Sequence, residues 1–204
     1  HYYPPHIGGI EIVTKNQAEL LASEGYNVTV ITSKVTAAEQ DASSKNLKVI
    51  RIGAWNFSEK FGAPFPIFSP RLLSALFMYT RSADVVHIHD SFYMSSFFAA
   101  LFSRMFKKPV VLTQHVEMIA HPTAFVMFIQ RLVYATTGAC IFRLSTRIIT
   151  LNDRVENFLL ARGVEKEKIV ALPNGTDQKL FHPVTQGEKL ALKKKYNLSP
   201  KAVY

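Results

Sequence analysis

Histidines and a carboxylate fall where apolar runs end: His87-Ile88-His89-Asp90, and then Thr113-Gln114-His115. An imidazole at the end of a buried strand can hydrogen-bond a hydroxyl, move a proton or steady charge in a transition state. Near the start, Tyr3-Pro4-Pro5-His6-Ile7-Gly8-Gly9-Ile10-Glu11 offers a different chemistry. Two prolines stiffen the approach, and Gly8-Gly9 stand where a helix begins. Glycine lets the backbone come close to a ligand. The free N–H groups and positive dipole end of the helix favour a phosphate or carboxylate. Ordinary turn chemistry uses the same dipeptide, so the glycines gain weight only from the rest of the chain. His87 and His89 share a strand face, because side chains alternate. With Asp90 they could meet a metal, but no further ligand spacing supports a site and none is assigned. His87 reads as a satisfied histidine beneath a helix. His121 and His182 carry no assigned role, and Asn174-Gly175 is turn chemistry.

The elements that must hold these residues follow from periodicity. A helix starts at Ile10, with Ile10, Val13, Gln17, Leu20 and Leu21 on one face, and Gly25 stops it. Strands are expected at 26–32, at 47–52 with Gly53 closing it, and at 84–90, 110–115, 147–151 and 168–172. Ser69-Pro70 resembles a cap for a helix carrying Leu72, Leu73, Leu76 and Phe77. Further helices are expected over 91–106, after Asp153 with Glu156 as its capping box, and over 188–196. Trp55 to Ser69 is irregular, and its Phe57, Phe61, Phe65 and Phe68 read as a loop packed on a core edge. Helix and strand alternate, which gives an α/β fold with a parallel sheet and helices on both faces. Ligands of such sheets bind beyond the carboxyl ends of the strands. His89-Asp90, Thr113 to His115, Asn152 and Asn174 all lie at those ends.

Composition narrows the classes. The chain has 204 residues, 48% of them hydrophobic, enough for one core and part of a second domain. The net charge of +9 fits an anionic membrane surface and a phosphate-bearing substrate. Nucleic acid is excluded as partner, since no reader motif or dense basic helix is present. Cys140 is the single cysteine and cannot make an internal disulfide, so a reducing, cytoplasmic setting is expected. Residues 123–145 are long and apolar, but Gln130, Arg131 and Arg143 interrupt them. They make a poor spanning helix and fit a buried one, or one resting on a bilayer. The loop at Tyr3 calls for a strand upstream, and Lys201 to Tyr204 resembles the opening of another, so the chain reads as truncated at both ends. A nicotinamide-linked dehydrogenase is disfavoured. The loop lacks G-x-G-x-x-G spacing, and Thr32-Ser33 stand where an acidic ribose ligand would end the next strand.

Taken in order, the Tyr3 to Glu11 loop, His87-Ile88-His89, Thr113-Gln114-His115 and Pro173-Asn174-Gly175-Thr176-Asp177 resemble the N-terminal half of a family 4 glycosyltransferase with the GT-B fold. The resemblance covers nearly the whole chain. It implies a Rossmann-like, doubly wound domain over 1–177, facing the acceptor. Residues 178–204 would be the linker and start of the nucleotide-sugar-binding domain. It implies a retaining transfer from a nucleotide-sugar donor to a hydroxyl acceptor, a sugar or a lipid-linked molecule, with no cofactor and no essential metal. Carried over to this sequence, Gly8 and Gly9 approach the donor diphosphate, His115 is the catalytic histidine near the donor sugar, and His89 and Asp90 line the acceptor pocket. His6 faces the acceptor or is a loop residue. The family's glutamate pair and its diphosphate-binding basic residues belong to the second domain, so these residues alone are expected to be inactive. Peripheral contact with an anionic membrane is expected through residues 91–106 and 123–145. A non-catalytic binding subunit and a sugar-nucleotide epimerase are the alternatives.

Overall fold

A computed structural model describes residues 2–34, 42–55, 67–175 and 183–199. Its strands form two four-stranded sheets. In the first, β1 (Val28–Lys34) runs parallel to β3 (Leu47–Trp55), from Val28 opposite Leu47 to Lys34 opposite Gly53. The short β2 (Ala42–Ser43) and β4 (Ile67–Phe68) lie antiparallel to β3. The second sheet is parallel throughout, in the order β5 (Val86–His89), β6 (Val110–Gln114), β7 (Arg147–Thr150) and β8 (Ile169–Ala171). Alternating β-branched runs and helices therefore give parallel pairing, as expected. Hydrogen bonding stops between β1 and β5, however, and each is an edge of its sheet among the described residues. The strand expected ahead of the Tyr3 loop lies outside those residues, as do Phe57, Phe61, Phe65, Thr176, Asp177, His182 and Lys201 to Tyr204.

Helices α2 (Arg71–Ser82) and α3 (Met94–Met105) join the two sheets. Leu72, Ala75 and Leu76 of α2 and Ala99 and Ala100 of α3 share one core with Ile52 of β3 and Ile88 of β5. Small residues make the close packing of α3 possible: Ser96, Ala99, Ala100 and Ser103 are buried, and the Ser103 hydroxyl donates to the Ala99 carbonyl at 2.7 Å. Phe77 of α2 meets Phe102 and Phe106 edge-on at 5.6 and 5.0 Å, a geometry that favours aromatic pairs.

Several local features differ from the sequence expectation. Strand β3 passes through Gly53 and ends at Trp55, because Gly53 pairs with Lys34. Helix α1 (Gly9–Ser23) buries Glu11 and Ala18, while Leu20 and Leu21 stay exposed. It packs on β1, at the open edge of its sheet, which leaves the outer end of the apolar stripe uncovered. Helix α6 (Asp153–Leu160) is capped one residue earlier than expected: the Asn152 side chain accepts from the Val155 N–H at 3.1 Å. Asn caps as well as Asp does. The apolar run 123–145 is α4 (Ala124–Val133), a π-helical turn (Tyr134–Gly138) and α5 (Ala139–Leu144) in continuous succession. Its buried side carries Gln130, Tyr134, Gly138, Ile141 and Phe142.

Contacts divide the chain into two units, His1–Pro173 and Asn174–Tyr204. The second contains α7 (Gln186–Lys195), whose start is closed by a capping box between Thr185 and Glu188.

Candidate active site at the strand carboxyl ends

Strands β5 and β6 are neighbours, and their carboxyl ends bring His89 beside His115. The two rings stack with centroids 5.3 Å apart, and His89 Nδ1 lies 3.0 Å from His115 Nε2. Burial lowers the pKa of His115 to about 4, helped by the neighbouring His87. His89 is pushed down to about 2, first by burial and then by His87 and His115. Both imidazoles are thus neutral at physiological pH, and one N–H bridges them. His87 stands at the exposed edge of β5 rather than beneath a helix, with Nε2 2.8 Å from Thr113 Oγ1.

Below the imidazoles lies a closed polar network. Asp90 follows β5 directly and has φ 61°, a left-handed conformation that Asp tolerates better than most residues. That turn points its side chain inward. Asp90 Oδ1 accepts from the backbone N–H of His115 at 3.0 Å and from Gln114 Nε2 at 2.9 Å. The Gln114 oxygen accepts from the Ser91 N–H at 3.2 Å, and its amide also donates to the Val116 carbonyl at 2.7 Å. Ser96 closes the turn by donating to the Asp90 carbonyl at 2.6 Å. Asp90, Ser91 and Gln114 have no solvent-exposed surface. Burial raises the Asp90 carboxyl to about 6, against the pull of the His115 and Val116 N–H groups. Among the described residues its second oxygen, Oδ2, has no hydrogen-bond partner, and neither do Ser91 Oγ and Thr150 Oγ1. Unsatisfied buried polar atoms are few in native proteins, and those that occur call for an explanation, a catalytic role among them.

The glycine loop is built from the other side. Arg51 of β3 donates to the Pro4 carbonyl and lies over the Tyr3 ring, 5.9 Å from its centre. Tyr2 stacks on His6 at 4.1 Å, and His6 Nδ1 approaches the Glu11 carboxylate at 3.4 Å. Gly8 is extended (φ −166°) and precedes the first turn of α1, with no side chain capping it. A Cβ on Gly8 would lie 2.2 Å from Glu11 Oε2, whereas one on Gly9 would meet nothing within 4 Å. A side chain at Gly8 would push aside the end of the buried Glu11 side chain, and Gly9 faces open space. Tyr93 lies within electrostatic reach of both: burial raises its pKa far above the ordinary phenol, and the charges of Asp90 and Glu11 add to this. No group of three or more His, Cys, Asp or Glu side chains among the described residues is arranged to hold a metal ion.

A family model described as Glycosyltransferase Family 4 matches residues 7–180. The chain belongs to glycosyltransferase family 4. Among solved structures, it is similar to HepE from Anabaena in complex with UDP, with 15% identity and a TM-score of 0.60 over 96% of this chain and 48% of that one. The HepE complex with UDP and glucose matches at 15% identity and a TM-score of 0.59, over the same 96% and 48%. No curated protein matches. The chain spans about half the length of those solved structures, and the likeness shows a Rossmann-like fold of the GT-B kind.

Within this family 4 domain, the structure brings His89, Asp90 and His115 together. Asp90 is closed to solvent and spends Oδ1 on the His115 backbone, a placement unlike the pocket-lining position that its family motif implies. Gly8 and Gly9 sit at the start of α1 and differ in their surroundings. Asn152 is occupied by capping α6. Sequence reasoning passed over Gln114, Ser91, Ser96 and Arg51. Gln114 had a signal, standing between two residues of a quoted motif, but nothing in the sequence says that its amide turns back to Asp90.

Proposed function

We propose that the protein transfers a sugar, with retention, from a nucleotide-sugar donor to a hydroxyl of a saccharide or lipid-linked acceptor. The observation that carries this reading is the neutral His115–His89 pair on a buried scaffold, at the strand ends where α/β sheets bind ligands. A neutral imidazole can donate to or accept from a sugar hydroxyl without placing a fixed positive charge in the site. HepE, solved with UDP and with UDP and glucose, supports the donor class.

In this reading the open first turn of α1 at Gly9 offers N–H groups to the diphosphate as negative charge grows on it. Prearranged donors do this without reorienting solvent. His115 contacts the reacting sugar and is the catalytic residue. His89 borders the acceptor, and Asp90 acts through the His115 backbone as a positioning residue. Residues 1–177 form the acceptor-side domain, and 178–204 lead to the domain that holds the nucleotide. The reaction uses no cofactor or metal and takes place on the cytoplasmic side.

The test is turnover of UDP-, GDP- and ADP-sugars by the intact protein, with and without a lipid extract, compared with His115→Ala. Release of nucleotide from one donor, reduced about a hundredfold or more in the variant, is expected. A folded protein that turns over no donor would instead indicate a non-catalytic binding subunit. Donor turnover without any acceptor product would indicate an epimerase.

A further inference from the structure

The outer face of α4 is the reverse of an ordinary surface helix. Phe125, Phe128 and Leu132 follow one another at helical spacing and are 68%, 58% and 48% exposed. Soluble helices turn such a stripe inward, but here Gln130 and Tyr134 face the core. The preceding loop carries Ile119, which is 61% exposed. That loop is not loose: the Gln130 amide donates to the Ile119 carbonyl and accepts from the Ile119 N–H, both at 2.9 Å. The inner side of α4 is thus held in place, and the exposed stripe on its outer side begins at Phe125, ten residues after His115.

Its charge is one-sided. From Met118 to Asn152 there is no Asp or Glu, while Arg131, Arg143 and Arg147 are exposed. Arg131 lies on α4 between Phe128 and Leu132. Glu117, just before this run, is paired with Arg154. Exposed aromatic and aliphatic side chains beside basic ones, with no acid, are complementary to an anionic lipid surface. Although the run Ala124–Leu144 is long and apolar enough to cross a bilayer, its inner side is committed to the core of the domain.

We propose that the Phe125, Phe128 and Leu132 surface of α4, with Arg131, docks the protein on an anionic membrane, with the phenylalanines entering the interface. The docking rests on the surface alone; the transferase reading supplies its purpose, since lipid-borne acceptors reside in such a bilayer.

The experiment is co-sedimentation of the intact protein with phosphatidylcholine vesicles, with and without phosphatidylglycerol, at low and high salt. No donor or acceptor is present, so the outcome is separate from that of the turnover test. Binding to the anionic vesicles that weakens with salt is expected. A Phe125→Ser/Phe128→Ser variant should bind at least about tenfold more weakly, and Arg131→Glu about fivefold or more. These side chains are exposed, so thermal melting should be unchanged and serves as the folding control. Vesicle binding equal in wild type and the double phenylalanine variant would overturn the proposal. So would no binding to anionic vesicles, including the case where gel filtration shows a dimer that the same substitutions dissociate, which would make the face a contact between two copies.

Discussion

His89 Nδ1 and His115 Nε2 stand 3.0 Å apart in rings tilted by 28°, close enough that a single N–H must serve both. The tautomer of one therefore dictates that of the other and fixes whether His115 Nδ1, the nitrogen left for a substrate, donates or accepts. His89→Phe keeps the ring but removes the partner. We expect kcat to fall about ten- to a hundredfold with little change in donor KM, since small misplacements of a reacting group cost this much. His89→Asn, whose amide nitrogen lies near the place of Nδ1, should recover part of the loss. The ¹⁵N shifts of His115 should report a fixed tautomer in wild type and a mixture in His89→Phe. Equal kcat in all three proteins would remove His89 from the mechanism.

The same burial sets an acid limit on stability. Unfolded histidine titrates near pH 6.5, while His115 and His89 in the fold are held down to about 4 and about 2. As pH falls below 6.5, the unfolded chain takes up protons that the folded one refuses, so stability is lost. Asp90 acts in the opposite sense. Its carboxyl is raised from 3.8 to about 6, so its contribution is complete below 3.8 and lost as pH rises through 6. Two imidazoles outweigh one carboxyl, and the melting temperature should drop between pH 6.5 and 4. His89→Asn should flatten that slope, and Asp90→Asn should steepen it. A melting temperature independent of pH across this window would contradict the buried, neutral pair.

The two glycines should separate by substitution. Gly8→Ala places a methyl within 2.2 Å of the Glu11 carboxylate, which must swing aside and give up its contact with His6, and a cost of about 1 kcal/mol is expected. Glu11→Ala should remove much of that penalty in the double variant, because the clash is with its carboxylate. Gly9→Ala meets nothing and should leave melting nearly unchanged. If Gly9 admits a diphosphate, its alanine variant should still bind UDP several-fold more weakly in calorimetry. Unchanged UDP affinity in Gly9→Ala would take the donor away from this turn.

The scaffold was legible where one local pattern decided the outcome. Strands β1, β6 and β7 follow from β-branched runs, and the strand-end position of His89 and His115 follows from alternation with helices. Features that depend on distant partners were hidden. The exposure of Leu20 and Leu21 depends on how much sheet α1 has to cover. The π-helical turn at Tyr134 has no periodic signature, and the inward turn of Asp90 depends on a single backbone angle. His115 itself gained its role from resemblance, since any polar strand end would look alike in composition.

Gln114 and Asp90 give the sharpest test of the network beneath the site. Gln114→Ala leaves the Ser91 N–H without its acceptor and removes one donor from Asp90. Each buried group left unpaired costs about 1–3 kcal/mol, so a loss of about 2–4 kcal/mol is expected in chemical denaturation. Asp90→Ala removes the acceptor for the His115 N–H and places alanine at φ 61°, which alanine tolerates poorly. It should lose a similar amount. Asp90→Asn keeps Oδ1 for both donors, tolerates that φ, and places its amide where Oδ2 already lacks a partner. Its stability at neutral pH should lie within about 1 kcal/mol of wild type, with most activity retained if Asp90 only seats His115. A stable Asp90→Asn that had lost turnover would mean that the carboxyl itself meets the substrate.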